Sequence, residues 1–142
     1  MKRTILCIIA LMMTACLLSA CFNNLTSKES IEELYTKNEI LFADAASSGN
    51  FADLEKISGV NEVLVQDGYV DIRCGGSGLG SSTHYYGIFF SETDDLCSVI
   101  FSGPRDELVE DGDGYRYKQT DGDNEYYVEP LGNHYFYYEA HF

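Results

Sequence analysis

Closely spaced turn sequences divide the second half of the chain into short segments, and this spacing strongly constrains the fold. Asp67-Gly68 separates two apolar segments, 61–66 and 69–74, and is a strong short signal for a β-hairpin. Further segments rich in aromatic and β-branched residues follow, bounded by turns of aspartate, glycine and asparagine. They are 85–91, 96–101, 107–110, 115–119, 125–129 and 134–142. The pattern predicts an antiparallel meander, with a second hairpin between 85–91 and 96–101.

The segment before these strands has the spacing of helices. Apolar residues recur at helical intervals over 31–45, with an interruption at Asn38, after a capping box that begins at Ser30. Gly49 suits the left-handed position past a helix end, and Asn50 can cap a shorter helix. Helices followed by strands predict an α+β fold, with two N-terminal helices packed on an antiparallel β-meander sheet.

Alternation along the last strands separates a predicted core from a predicted surface, because successive side chains point to opposite faces. We expect one face to be buried beneath the helices: Tyr115, Tyr117, Tyr126, Val128, Phe136, Tyr138 and Phe142. The opposite face should be exposed: Tyr127, Tyr135, Tyr137 and His141. Exposed tyrosines can stack on sugar rings or dock a protein. Tyrosines also pair across strands for stability alone, so both interpretations stay open.

The first 20 residues have the composition of a secretory signal. A basic start, Met1-Lys2-Arg3, precedes an uncharged apolar run over 5–18, which is shorter than the ~20 residues of a membrane-spanning helix. The following Leu18-Ser19-Ala20-Cys21 resembles the processing site of bacterial lipoproteins. The resemblance implies cleavage before Cys21, a diacylglycerol on its thiol, and a location on the outer face of the bacterial cytoplasmic membrane.

Processing at that site predicts three parts: a removed signal at 1–20, a tether at 21–27 and a single domain at 28–142. Loss of Lys2 and Arg3 takes the formal charge from −14 to −16. Nucleic-acid binding is disfavoured because it needs a basic surface. We expect the chain to meet the membrane through lipidated Cys21, and an envelope protein or a cell-wall glycan as its partner.

Two cysteines other than the lipidated Cys21 remain after processing, Cys74 and Cys97. In an exported domain they could form a disulfide, but both lie in apolar segments where a free cysteine behaves as a small hydrophobe. Both alternatives stay open.

Signals for a cofactor, a metal or catalysis are weak, and none is predicted. The acidic turns 111–114 and 121–125 lack the glycine that an EF-hand loop needs at its sixth position. The glycine-rich stretch 75–84 has neither the Gly-Lys-Ser/Thr end of a phosphate-binding loop nor the pattern of a nucleophile elbow. It does bring Ser81, Ser82 and His84 together, which makes it a candidate ligand loop.

Several segments of the second half of the chain resemble an uncharacterised family of small lipoproteins of Gram-positive, Firmicutes-like bacteria. They are 70–78, 81–92, 122–127 and 137–142. The resemblance implies a lipoprotein with one domain, and it implies no activity. The expected function is a lipid-anchored cell-envelope interaction or binding module. The alternative is a small-ligand binder or hydrolase with its site at loop 75–84.

Overall fold

The fold was analysed in a computed structural model, which describes residues 24–79, 82–97, 101 and 103–142. Two helices come first, α1 (Lys28–Lys37) and α2 (Glu39–Ser48). The strands of the described residues are β1 (Glu62–Gln66), β2 (Tyr69–Leu79), β3 (Ser82–Ser91), β4 (Val109–Asp111), β5 (Gly114–Lys118), β6 (Glu125–Gly132) and β7 (Tyr135–His141). They form one antiparallel sheet in the order β1-β2-β3-β7-β6-β5-β4. The predicted α+β class is confirmed.

Local side-chain chemistry explains where the helices begin and end. The Ser27 hydroxyl accepts a hydrogen bond from the Ser30 backbone N–H at 3.3 Å, so Ser27 caps α1 and the capping box predicted at Ser30 is misplaced. Asn38 separates α1 from α2, and its side chain donates to the Leu34 carbonyl at 2.8 Å. Gly49 ends α2 in the predicted left-handed conformation, with φ of 68°. The predicted shorter helix is a 3₁₀ segment.

The sheet consists of two meanders, β1 to β3 and β4 to β7, joined where β3 pairs with β7. Since β2 occupies the other edge of β3, the predicted hairpin between 85–91 and 96–101 is wrong. Leu96 and Cys97 belong to no strand, and 98–100 lie outside the described residues. The reason is that β3 is apolar on both faces, with Ile88 and Phe89 each fully buried, and this pattern suits a central strand.

Both faces of the central strands are covered. On the helix face, α1 and α2 pack over Val70, Ile72, Cys74, Ile88, Phe90, Tyr127, Tyr135 and Tyr137. On the loop face, part of the connection between β3 and β4 covers Phe89, Tyr126, Val128, Phe136, Tyr138 and Ala140. That connection contributes Leu96, Phe101 and Leu108.

The predicted division into core and surface is therefore partly wrong. Tyr126, Val128, Phe136 and Tyr138 are buried as expected, but on the loop face rather than beneath the helices, while Tyr115, Tyr117 and Phe142 are only half-buried. Of the residues expected to be exposed, Tyr135 and Tyr137 have no exposed surface and Tyr127 is 8% exposed. His141 is half-buried. The helices lie on the tyrosine face, where the Tyr135 hydroxyl donates to the Phe42 carbonyl at 2.8 Å.

The residues just before α1 are held against the edge of β2. The Leu25 N–H donates to the Cys74 carbonyl at 3.0 Å, and the Asn24 side chain makes two hydrogen bonds with the Gly76 backbone at 2.8 and 2.9 Å. A Cβ at Gly75 would lie 1.9 Å from the Leu25 carbonyl oxygen, so glycine is required for this close approach. Asn24 and Leu25, which we call the docked segment, were predicted to belong to a tether.

A buried carboxylate lies on the loop face of β2. Asp71 is only 4% exposed, and it accepts hydrogen bonds from the Tyr138 hydroxyl at 2.8 Å and from Arg73 Nε at 3.0 Å. Burial raises the pKa of Asp71, although Tyr138 and Arg73 both act in the opposite direction. Burial, together with Asp71, also raises the pKa of Tyr138, which therefore remains the donor. The hydrogen bonds compensate only part of the cost of burying this charge.

Tyr138→Phe should destabilise the protein in a pH-dependent way. Because burial raises the pKa of Asp71 above its ordinary value of 3.8, its contribution to stability is greatest in acid and declines as the pH rises. Without the Tyr138 hydroxyl this pKa rises further, so the loss relative to the wild type should grow above pH 3.8, to about 1–3 kcal/mol at neutral pH. Urea denaturation at about pH 4 and about pH 7 measures the two differences.

The control is Tyr85→Phe, which changes a half-buried tyrosine of β3. It should alter the free energy of unfolding by less than about 0.5 kcal/mol at both pH values. An equal loss at both pH values for Tyr138→Phe would contradict the role assigned to Asp71.

Candidate functional site

A cavity of about 440 Å³ opens on the loop face, between the β1–β2 turn and the connection that follows β3. Tyr69 and Phe101 line it together with Asp95, Arg105 and the fully buried Phe89. Its volume is within the ~300–1,000 Å³ of small-molecule sites, and aromatic walls with a few polar groups are typical of them. We treat it as the candidate binding site.

An ion pair forms one side of this cavity. Arg105 Nη1 lies 2.7 Å from one Asp95 oxygen, and the other Asp95 oxygen accepts the Cys97 N–H at 3.0 Å. Burial raises the pKa of Asp95, but the bonds from Cys97 and Arg105 outweigh it and leave this pKa below its usual range. The Asp95 N–H also donates to the Ser91 hydroxyl at 3.0 Å, which ties the connection to the end of β3. The wall of the cavity therefore carries a pair of opposite charges, with Arg105 exposed to solvent.

Tyr69 gives the cavity a second polar feature. Tyr69 is one of the lining residues, while its hydroxyl is buried and has no hydrogen-bond partner among the described residues. Burial and the nearby Asp71 both raise the pKa of Tyr69. Burying a hydroxyl without a hydrogen bond costs free energy. A ligand or a small movement that supplies a hydrogen-bond partner would therefore stabilise this side chain.

Both cysteines of the described residues are free thiols, and they lie on opposite faces of the sheet. Cys74 belongs to the helix face, whereas Cys97 lines the loop-face cavity. The disulfide that the sequence left open is therefore not formed. Burial raises the pKa of Cys97, and burial with nearby Asp71 raises that of Cys74 to about 12. Neither thiol has the lowered pKa of a catalytic cysteine.

The glycine-rich stretch predicted as a ligand loop is mostly strand. Residues 75–79 belong to β2, and Ser82 and His84 belong to β3, where Ser82 pairs with Leu79. The His84 ring packs against His141, with centroids 4.1 Å apart. Ser81 lies outside the described residues, as does Cys21, so these two predicted sites have no structural description.

One carboxylate of each acidic turn forms an ion pair with a cation of the chain, Asp111 with Arg116 and Glu125 with Lys118. In the turn before β5, Asp111 pairs with Arg116 at 2.5 Å, which satisfies the carboxylate without a metal. Within the ranges that the structure describes, no group of three or more histidine, cysteine, aspartate or glutamate side chains is placed to hold a metal ion.

A cluster that the sequence did not indicate attaches α1 to the sheet. Lys28 Nζ lies 2.5 Å from the Glu129 carboxylate, which also accepts the Tyr127 hydroxyl. The Arg116 guanidinium lies 4.7 Å from the centre of the Tyr127 ring. Burial is the largest cause that raises the pKa of Tyr127 to about 12, and Glu129 acts in the same direction. Tyr127 is thus a structural residue beneath two cations. Three of the four residues of the predicted partner surface, Tyr127, Tyr135 and Tyr137, are buried and not available for docking, and His141 is half-buried.

Comparison of the chain with protein-family models, with curated proteins and with solved structures gives no match. Among the helices in the described part of the chain, none has the length and apolar character needed to cross a bilayer.

Proposed function

We propose that this chain is a lipid-anchored binding module on the outer face of the bacterial cytoplasmic membrane. The observation that carries the anchor is Leu18-Ser19-Ala20-Cys21, which follows a basic start and an apolar run. The first described residue, Asn24, follows Cys21 by three positions. An acylated Cys21 would therefore hold the domain close to the bilayer, and two acyl chains give stable attachment where one does not.

The loop-face cavity is the proposed binding site, and a cell-wall glycan fragment is the proposed ligand class. Tyr69 and Phe101 offer aromatic surfaces, and Asp95 with Arg105 offers a hydrogen-bond acceptor and donors. Sugar rings have apolar faces and hydroxyl edges, so they suit walls of this mixed character. An envelope protein as partner has less support, because the tyrosines expected to form its docking surface are buried.

The position of the cavity is compatible with anchoring. Tyr69 and Gly76 lie seven residues apart on β2, which is about 20 Å of extended chain. Gly76 binds the docked segment, so the anchored end and the cavity are at different ends of this strand. A ligand in the cell wall could then reach the cavity without competition from the bilayer.

The contacts of Ser82 and His84 do not favour the alternative of a hydrolase at 75–84. The His84 ring contacts His141 rather than a carboxylate that could orient it as a base. Ser82 is exposed at the start of β3, in ladder pairing with Leu79.

Cys21→Ala should abolish acylation and membrane attachment. In the wild type, mass spectrometry of the membrane fraction should find an N-terminal peptide that begins at Cys21 and carries the mass of a diacylglycerol. Cys97→Ala is the control, since it removes a thiol of the folded domain and should leave both properties unchanged. A Cys21→Ala chain that is processed and membrane-bound like the wild type would contradict the anchor.

Soluble muropeptides should bind in the cavity. In an NMR titration, we expect backbone amide shifts to concentrate at Tyr69, Thr93 and Arg105, with saturation as the ligand is added. Arg105→Ala should weaken binding, because it removes one charge of the cavity wall, whereas Lys118→Ala changes an exposed cation of β5 and should not. Absence of shifts, or shifts confined to the helices, would contradict the proposed site.

A further inference from the structure

The distal part of the hairpin formed by β2 and β3 contains no acidic or strongly basic side chain. No aspartate, glutamate, lysine or arginine occurs between Cys74 and Ser91, although the chain contains 23 acidic residues. We call its distal described part, residues 75–79 and 82–84, the β2–β3 arm. Leu79, the last residue of β2, is 92% exposed. The arm thus presents an apolar side chain to solvent on a segment without aspartate, glutamate, lysine or arginine, and Glu125 lies two strands away, across β7 from His84.

The arm is also the part of the sheet that the docked segment contacts. The Asn24 side chain binds the Gly76 backbone, and Leu79 lies three residues further along the same strand. Three residues of extended chain span about 10 Å, so Leu79 is about 10 Å from this attachment point. The three steps from Cys21 to Asn24 add at most about 11 Å. A lipid on Cys21 would therefore confine the arm to the vicinity of the bilayer surface.

Charge favours the arm over other surfaces for contact with lipid. Anionic headgroups attract basic segments, and they repel the acidic surface that dominates this chain. The arm brings no carboxylate of its own to the bilayer, so contact through Leu79 avoids the cost of removing a charge from water. Leu79 alone would bind a bilayer weakly, but attachment through Cys21 makes the contact intramolecular and raises its effective concentration.

We propose that the β2–β3 arm lies in the interfacial layer of the membrane, with the Leu79 side chain among the lipid headgroups and upper acyl chains. This inference rests on the proposed anchoring through Cys21. The contact would fix the orientation of the domain, with the loop-face cavity directed away from the bilayer. The arm is thereby assigned a lipid surface as its partner rather than a soluble ligand.

The chain contains no tryptophan, so one introduced residue reports its surroundings without background. Leu79→Trp places the probe on the arm, and Ile40→Trp places the matched control on α2, where Ile40 is 78% exposed. Each acylated variant, processed to begin at Cys21, is reconstituted into vesicles of phosphatidylcholine and phosphatidylglycerol, with or without lipids brominated high on the acyl chain. We expect blue-shifted emission and severalfold stronger quenching by brominated lipid for Leu79→Trp than for Ile40→Trp.

Asn24→Ala, combined with Leu79→Trp, tests whether the docked segment holds the arm at the bilayer. Loss of the two hydrogen bonds to Gly76 should reduce the quenching, because the anchor would no longer hold the arm at the bilayer. Unchanged quenching would contradict this role of the docked segment.

The results of these experiments distinguish the proposed anchor at Cys21 from the proposed contact between the arm and the bilayer. An acylated, membrane-bound Leu79→Trp chain with the emission and quenching of the Ile40→Trp control would overturn the arm contact and leave the anchor intact. A blue shift without quenching by brominated lipid would mean that the arm is covered by a second copy of the chain, which also overturns it. A chain without the diacylglycerol mass would overturn both proposals.

Discussion

The pairing of β3 with β7 is the interaction on which the rest of the structure depends. Ile88 pairs with Tyr137 on the helix face, and Phe89 pairs with Phe136 on the loop face, where their rings stack with centroids 5.0 Å apart. Because these four side chains are buried, both faces of the sheet need a cover. The two helices supply one cover, and part of the connection from β3 to β4 contributes to the other.

This constraint also produces the candidate site. Since β7, β6 and β5 lie between β3 and β4, the chain that leaves β3 has to reach the far edge of the sheet. Contacts of Phe101 with Tyr117 and Tyr126 place the connection over the loop face. The connection does not cover the end of β2 at Tyr69, and the cavity lined by Asp95 and Arg105 lies there. The position of the cavity thus follows from the topology of the sheet. The ion pair of Asp95 and Arg105 is a local feature of the cavity wall.

Local features were predictable from the sequence, because their causes are local. The turn at Asp67-Gly68 and the left-handed Gly49 depend on neighbouring residues alone, and both are where the sequence indicated. The prediction of an exposed tyrosine face was wrong for a different reason. Alternation separates Tyr135 and Tyr137 from Phe136, but it does not reveal whether one face of the sheet is covered or both.

Contacts between distant parts of the chain had no signal in the sequence. Lys28 and Glu129 are 101 positions apart, and nothing in either segment indicates that they meet. The same holds for the cavity, which needs the connection after β3 to lie beside Tyr69. The contact of the docked segment with β2 could not be predicted, because Asn24 and Leu25 have the composition of a linker. Their approach depends on Gly75 of β2, where a side chain would collide with Leu25.

The most direct test of this architecture is the set of backbone nuclear Overhauser contacts of β3. We expect contacts between β3 and β7 in the register that pairs Ile88 with Tyr137, together with those between β3 and β2. Contacts from residues 85–91 to residues 96–101, with none to β7, would contradict the two-sided sheet and everything derived from it.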